Sequence, residues 1–328
     1  MGEASRGVDV EALARAVQRG ERRALAKAIT LVESTRADDR ALTARLLELL
    51  GGAAKATMRV GVSGVPGAGK STFIDALGAL LVEAGHKVAV LSVDPSSART
   101  GGSVLGDKTR MTRLSASPDA FIRPSPSAGA LGGIGAHTRE AIAVCEAAGH
   151  DVVLVETVGS GQLEQTVTGV VDHLLLLLIP AAGDELQGIK RGVLELCDVV
   201  GINKCDGPLA PLCETTRAQY QAALSLLRGR HAPPVVCLSA RSGSGVREVW
   251  DLLEQRHRAL GDGGLDARRK AQRLGALDER VDAGLRAAVL ERPEVQQELD
   301  QARRAVERGQ IGPERAAERV LDRIRRGP

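Results

Sequence analysis

Aromatic side chains are almost missing from this 328-residue chain: Phe73, Phe121, Tyr220 and Trp250 are all of them. That excludes nucleobase-stacking platforms and aromatic cation cages, and it leaves an aliphatic core. Charge of one sign is also lacking. With 44 basic against 41 acidic residues the net charge is only +3, which argues against a dedicated nucleic-acid binder. Long apolar runs are absent as well. Leu174–Ile179, preceded by Asp172 and His173, reads as a buried strand and is far short of the ~20 residues of a spanning helix, so no membrane partner is expected. The first ten residues include Glu3, Arg6 and Asp9 and no apolar core segment, so no secretory signal is read. The five cysteines (Cys145, Cys197, Cys205, Cys213, Cys237) are an odd number without a CxxC pair, and are read as reduced core thiols. These absences point to a cytoplasmic protein. What is present is 43% hydrophobic residues, enough for a sizeable core.

Three regions separate by pattern. Residues 1–55 form an N-terminal helical segment, because Leu13, Val17, Leu25, Ile29, Leu31, Leu42, Leu46 and Leu50 recur at helical spacing. Gly20 and Arg36–Arg40 punctuate it into two or three helices, and Gly51-Gly52 closes it. Residues 56–262 alternate short β-branched runs with helical stretches. The runs are Val60–Ser63, Val88–Val93, Val152–Val155, Leu174–Ile179, Val199–Asn203 and Val235–Leu238. Such alternation predicts an α/β domain with a mainly parallel sheet covered on both faces. Ligands of these sheets sit beyond the carboxyl ends of the strands. Residues 263–328 are charged, Ala/Arg-rich and helical, broken near Pro293 and Gly309–Pro313. Their sparse apolar positions are not expected to hold a separate core, and suggest an arm that packs on a neighbour.

Val60–Ser63 runs into Gly64-Val65-Pro66-Gly67-Ala68-Gly69-Lys70-Ser71, a complete GxxxxGK[ST] phosphate loop, followed by Thr72. Its glycines let consecutive backbone N–H groups wrap a β-phosphate, and the next helix aims its positive end there. Lys70 is placed to bridge β- and γ-phosphate oxygens, and Ser71 to ligate Mg²⁺. A second motif, Asn203-Lys204-Cys205-Asp206, ends another strand. A carboxylate at Asp206 can accept from both the ring imino hydrogen and the exocyclic amine of guanine, a pair that adenine does not offer. Lys204 is expected along the base plane, and Asn203 to tie this loop to the phosphate loop. Ser239-Ala240, after Val235–Leu238, resembles the short loop whose amides contact the guanine oxygen. Glu156-Thr157-Val158-Gly159 ends a further strand; its carboxylate faces the metal position, and Gly159 can give an N–H to a γ-phosphate. Glu156 stands where Asp is usual, so it is expected to act at longer reach or through a water. Asp94 and Asp107 lie in or beside a long polar stretch after Val88–Val93, and are candidate Mg²⁺ ligands or water-positioning groups.

These motifs resemble one family, the MeaB/ArgK G-proteins, chaperones of adenosylcobalamin-dependent acyl-CoA mutases. The resemblance is carried by GVPGAGKST at Gly64–Thr72, VDPSSARTGGSVLGDKTRM at Val93–Met111, FIRPSPSAGALGG at Phe121–Gly133, VETVGSGQ at Val155–Gln162, PAAGDELQGIKRG at Pro180–Gly192 and NKCD at Asn203–Asp206. It implies a P-loop GTPase domain with an N-terminal helical extension and a C-terminal helical arm used for homodimerisation. It further implies binding of GTP and GDP, and Asp94, Asp107 and Glu156 beside Ser71 around Mg²⁺. Gln187 and Lys190 match a switch that conveys nucleotide state to the mutase, methylmalonyl-CoA mutase foremost. GTP hydrolysis, slow alone and stimulated by the partner, would gate cofactor loading and protect or reactivate the mutase. The chain departs from the family at Cys205, where a small residue is usual, and at Ser160 and Leu163, beside Gln162, the candidate for positioning the attacking water.

Two alternatives stay open. One is a P-loop kinase or transport ATPase accessory of ArgK type, against which Asp206 stands. The other is a nickel-insertion GTPase, which calls for clustered His and Cys ligands; here the six histidines are scattered.

Overall fold

The computed structural model describes residues 8–51, 57–94, 111–126, 131–157, 163–180 and 191–326. The chain divides into two compact units, Met1–Gln272 and Arg273–Pro328.

The first unit begins with three helices, α1 (Val10–Gln18), α2 (Arg22–Val32) and α3 (Ala37–Leu50). Asp9 starts α1 by accepting the Ala12 N–H at 2.8 Å, a helix cap. The stretch from Arg36 to Arg40, expected as punctuation, instead begins α3, with Asp38 and Asp39 in a first turn that favours acidic residues. The strands are β1 (Met58–Gly64), β2 (Val88–Asp94), β3 (Ala120–Pro126), β4 (Val152–Thr157), β5 (His173–Leu178), β6 (Val199–Ile202) and β7 (Val235–Cys237). They form one parallel sheet in the order β3-β2-β4-β1-β5-β6-β7. β3 is a strand beyond the six expected. Its Phe121 and Ile122 run into Pro124, and a proline can stand in a sheet where its nitrogen faces away from the only partner, as on this edge.

Both faces of the sheet are apolar, as buried parallel strands require. On one side Val60, Val62, Val88 and Val90 pack with Phe73 and Leu77 of α4 (Lys70–Glu83), and with Trp250 and Leu253. On the other, Ala89, Leu91, Val153 and Val155 share a core with Ile142 and Val144 of α6 (Leu131–Ala147) and with buried residues of α1–α3. A short α5 (Thr112–Ser115) is tied to α4 because Asp75 accepts the Leu114 N–H at 2.9 Å. The remaining helices of this unit are α7 (Leu163–Thr168), α8 (Arg191–Leu196) and α9 (Ala210–Arg228).

A helical stretch, α10 (Val246–Leu290), is broken at Gly261, whose φ of 59° suits glycine. Residues 263–272, grouped by sequence with the C-terminal arm, bring Arg268, Arg269 and Gln272 to the amino-terminal end of β5. Arg269 holds Asp172 through Nε at 2.9 Å and Nη2 at 2.6 Å, and Arg268 donates to the Asp172 carbonyl. Asp172 also accepts the Arg59 N–H at 3.0 Å, and the Arg59 guanidinium grips Glu146 at 2.6 and 3.0 Å. This buried charged network explains why the first unit extends to Gln272.

In the second unit α11 (Pro293–Glu307) and α12 (Pro313–Arg325) form a helical pair. Contrary to the expectation from their sparse apolar pattern, they close a small cluster of their own from Val295, Ala302, Ala316 and Val320, with Leu299 and Ile324 beside it. Leu274, Leu277, Val281 and Leu285 are exposed. Among the described residues no helix is long and apolar enough to cross a membrane.

Candidate functional site

The carboxyl ends of β1, β4, β6 and β7 bring the sequence motifs to one side of the first unit. β1 ends in Gly64, whose φ of +152° is reserved for glycine and where a Cβ would overlap the Leu177 carbonyl of β5. The loop therefore leaves the sheet in one direction only. Val65, Pro66 and Gly67 are at least partly accessible and Ala68 is buried; Gly69, at φ +87°, precedes α4. The backbone thus turns at the amino-terminal end of a 14-residue helix, where peptide dipoles favour an anion. Lys70 is buried, and its ammonium donates to the Gly64 carbonyl at 2.9 Å and the Val65 carbonyl at 3.2 Å. A phosphate entering the loop can take over those donors.

Ser71, the next residue of α4, donates to Glu156 Oε1 at the end of β4 at 2.8 Å. The longer carboxylate therefore reaches the serine directly. Ser92 of β2 approaches the other oxygen, Oε2, at 3.5 Å. Sequence reading missed Ser92; its only signal was a hydroxyl interrupting the apolar run Val88–Val93. Asp75, also missed, ties α4 to the chain returning at Leu114.

Asn203 joins three loops. Its Nδ2 donates to the Ala68 carbonyl of the phosphate loop at 2.7 Å. Its Oδ1 accepts the Lys204 N–H at 2.8 Å and the Ala240 N–H at 2.9 Å. A Cβ on Gly69 would come within 2.6 Å of Asn203 Nδ2, so this glycine is required by the contact as well as by its φ. The Ala240 amide, expected at a guanine oxygen, is thus engaged by Asn203; Ser239 is buried behind it. Lys204 has a φ of 67°, the only positive φ of a non-glycine residue among the described residues. This left-handed turn lets the chain leave β6 and reverse at once, and the Cys205 N–H bond to Leu238 O at 3.1 Å fixes it.

Between these loops lies a cavity of about 380 Å³, lined by Thr72, Asn203, Lys204, Asp206, Ala240 and Arg241, with Gly207, Pro208 and Leu209 as one wall. Arg241 was not anticipated. It follows Ser239-Ala240 and adds a cation to the rim. Cys205 does not line the cavity. Its sulfur is joined to that of Cys213, in the first turns of α9, across a Cα–Cα distance of 5.9 Å, which corrects the reading of all five cysteines as reduced core thiols. The spacing concealed the pair because the turn at Gly207-Pro208 and the start of α9 bring together positions eight apart. Burial pushes the thiols of Cys197 and Cys237 up to about 12 and about 11.

The structure thus assembles the phosphate loop, Ser71 with Glu156, the Asn203–Asp206 turn and Ser239-Ala240 at one rim. Asp94 ends β2 on the same sheet end, but its side chain lies outside what is described, as do Asp107, Gly159, Gln162, Gln187 and Lys190.

Comparison with known proteins agrees with this architecture. The family model for "Methylmalonyl Co-A mutase-associated GTPase MeaB" matches residues 25–294. The chain is 48% identical over 317 residues to the "Probable GTPase Mb1533" of Mycobacterium bovis, covering 95% of this chain and 94% of that protein. It is 45% identical over 326 residues to the mitochondrial "Methylmalonic aciduria type A homolog" of Mus musculus, covering 95% and 79%. Identity to the "GTPase ArgK" of Escherichia coli is 48% over 242 residues, 73% of each chain. A solved structure described as an LAO/AO transport system kinase superposes with a TM-score of 0.76 at 35% identity, over 96% of this chain and 97% of that one. A phosphate loop, a guanine-type turn and a family match over most of the length converge on one conclusion: the chain belongs to the MeaB family of GTPases, binds guanine nucleotide and hydrolyses GTP.

Proposed function

We propose that this GTPase is a nucleotide-switched chaperone of an adenosylcobalamin-dependent acyl-CoA mutase, methylmalonyl-CoA mutase foremost, gating cofactor loading and protecting or reactivating the enzyme. The observation that carries the reading is the three-way tie at Asn203, which holds the phosphate loop, the Asp206 turn and Ala240 around one cavity. Asp206 accepts from the imino and amino hydrogens of guanine, and Lys204 lies along the base. Lys70 gives its ammonium to the β- and γ-phosphates while backbone N–H groups from Gly64 to Thr72 surround the β-phosphate. The Ser71 hydroxyl and Glu156 carboxylate, 2.8 Å apart, are an all-oxygen pair that suits Mg²⁺, with Asp94 and Asp107 as further candidates. Held by the Ser71 and Glu156 oxygens, Mg²⁺ would supply positive charge against the nucleotide phosphates. Gly159 donates to the γ-phosphate, Gln162 orients the attacking water, and Gln187 with Lys190 relays nucleotide state to the partner. The exposed Leu274, Leu277, Val281 and Leu285 recur at helical spacing and support a homodimer through the arm.

A switch that inverts a 1:99 population needs ~5.5 kcal/mol of differential binding, within reach of a γ-phosphate and its charge-assisted contacts. GTP turnover by the isolated protein is expected below ~1 s⁻¹ and to rise when methylmalonyl-CoA mutase is titrated in. Turnover indifferent to every candidate mutase would remove the chaperone reading. Asp206→Asn tests the assignment of the base-reading carboxylate: it should weaken GTP binding and admit xanthine nucleotides, and unchanged GTP affinity would remove Asp206 from that role.

A further inference from the structure

The disulfide between Cys205 and Cys213 closes a ring of chain that contains Asp206 and the cavity wall of Gly207, Pro208 and Leu209. Nothing in hydrolysis or mutase binding uses it. One end is the third residue of the guanine motif, immediately before the carboxylate that reads the base. The other lies on α9 and is only 3% exposed. The Cα–Cα distance of 5.9 Å falls in the ordinary range for a disulfide. The remaining cysteines do not compete. Cys145 and Cys197 are fully buried, and Cys237 is partly buried on β7 with its thiol held protonated by burial and by Glu214.

We propose that Cys205 and Cys213 are a redox-active pair that exchanges with low-molecular-weight thiols and disulfides, and that its state sets the rate at which guanine nucleotide leaves; the second part rests on the guanine reading of Asp206. Cys205 is partly accessible while Cys213 is buried, so the small thiol enters at Cys205. Its thiolate attacks Cys205 Sγ, the bond to Cys213 breaks, and the departing Cys213 sulfur takes a proton. A second thiolate attacks the small-molecule sulfur of this mixed disulfide and releases Cys205, which is protonated in turn. Two small thiols thus become one small disulfide, and the protein gains two electrons and two protons; oxidation runs the same steps backward. In the linked state the ring fixes the wall and the carboxylate in the arrangement that faces the cavity. In the reduced state the turn after the left-handed Lys204 is held by hydrogen bonds alone.

The test uses the full-length protein, treated either with dithiothreitol or with oxidised glutathione and then desalted. Non-reducing peptide mapping should show a Cys205–Cys213 cross-link in the oxidised sample, with three alkylatable thiols after denaturation against five in the reduced one. Release of fluorescent mant-GDP should be slower in the oxidised form by about threefold or more, the effect of rigidifying a binding loop. In Cys213→Ala the cross-link should vanish and the release rate should no longer respond to oxidised glutathione. The proposal is overturned if oxidised protein lacks this cross-link, if release is the same with and without it, or if the response persists in Cys213→Ala. Cross-linked protein that binds no mant-GDP in either state would instead overturn the guanine reading, and the effect on release with it.

Discussion

The two ends of the parallel sheet are built on opposite principles. At the carboxyl ends Lys204 and Asp206, the side chains proposed to read the nucleotide, are exposed, and the loops bearing them are held by backbone amides and one asparagine. At the amino ends, Arg59, Glu146, Asp172 and Arg269 are all buried and hold one another through paired hydrogen bonds. Charge buried without partners is costly, so the amino end tolerates no loss of a member. The carboxyl end keeps Lys204 and Asp206 in water, ready for a ligand that arrives and leaves, and buries Lys70 and Glu156 beside them. Stability and function are therefore separable along the strand direction.

Asp172→Ala should break the comparison most severely. It leaves the Arg59 N–H without its acceptor and the Arg269 guanidinium without its carboxylate, and loss of one partner in a buried pair costs about 3–5 kcal/mol. The urea midpoint should fall accordingly, while protein that remains folded keeps its GDP affinity. Lys70→Ala is the converse: GTP turnover should drop about 10²–10³-fold, the usual effect of removing one preorganised donor to a developing anion. Its urea midpoint should move less than that of Asp172→Ala, since its bonds to the Gly64 and Val65 carbonyls are to loop backbone. A large loss of stability here would show that the two ends are not independent. The smallest effect concerns pH. Burial lowers the His173 pKa from 6.5 to about 4, and the ring lies 3.1 Å from His257, with Asp198 and Arg268 nearby. Between those values the unfolded chain takes up a proton that the folded chain refuses, so stability is complete above pH 6.5 and declines as the pH falls toward 4. Urea midpoints across that window should show a shallower decline in His173→Gln.

The carboxyl end was the more legible in sequence. A phosphate loop needs glycines at fixed offsets and a strand before them, and the chemistry of guanine asks for a carboxylate at a strand end; both constraints are local. Gly64 and Gly69 meet them for steric reasons visible in their φ angles. The amino-end network could not be read, since Arg59, Asp172 and Arg269 are far apart in the chain and each alone resembles a solvated charge. Arg269 in particular sits among Ala/Arg-rich sequence that reads as an exposed arm. The Cys205–Cys213 bond was hidden for a related reason, its two ends meeting only after a turn. β3 was missed because Pro124 speaks against a strand unless the strand is known to be an edge. The small cluster of α11 and α12 escaped because Ala302 and Ala316 carry little hydrophobic signal, yet they let two helices approach closely.

That proline has a consequence beyond its own strand. An open β-margin is a template on which another polypeptide can polymerise, and Pro124 removes an amide donor from the side that a newcomer would have to match. Pro124 thereby guards this aliphatic sheet against aggregation through that flank.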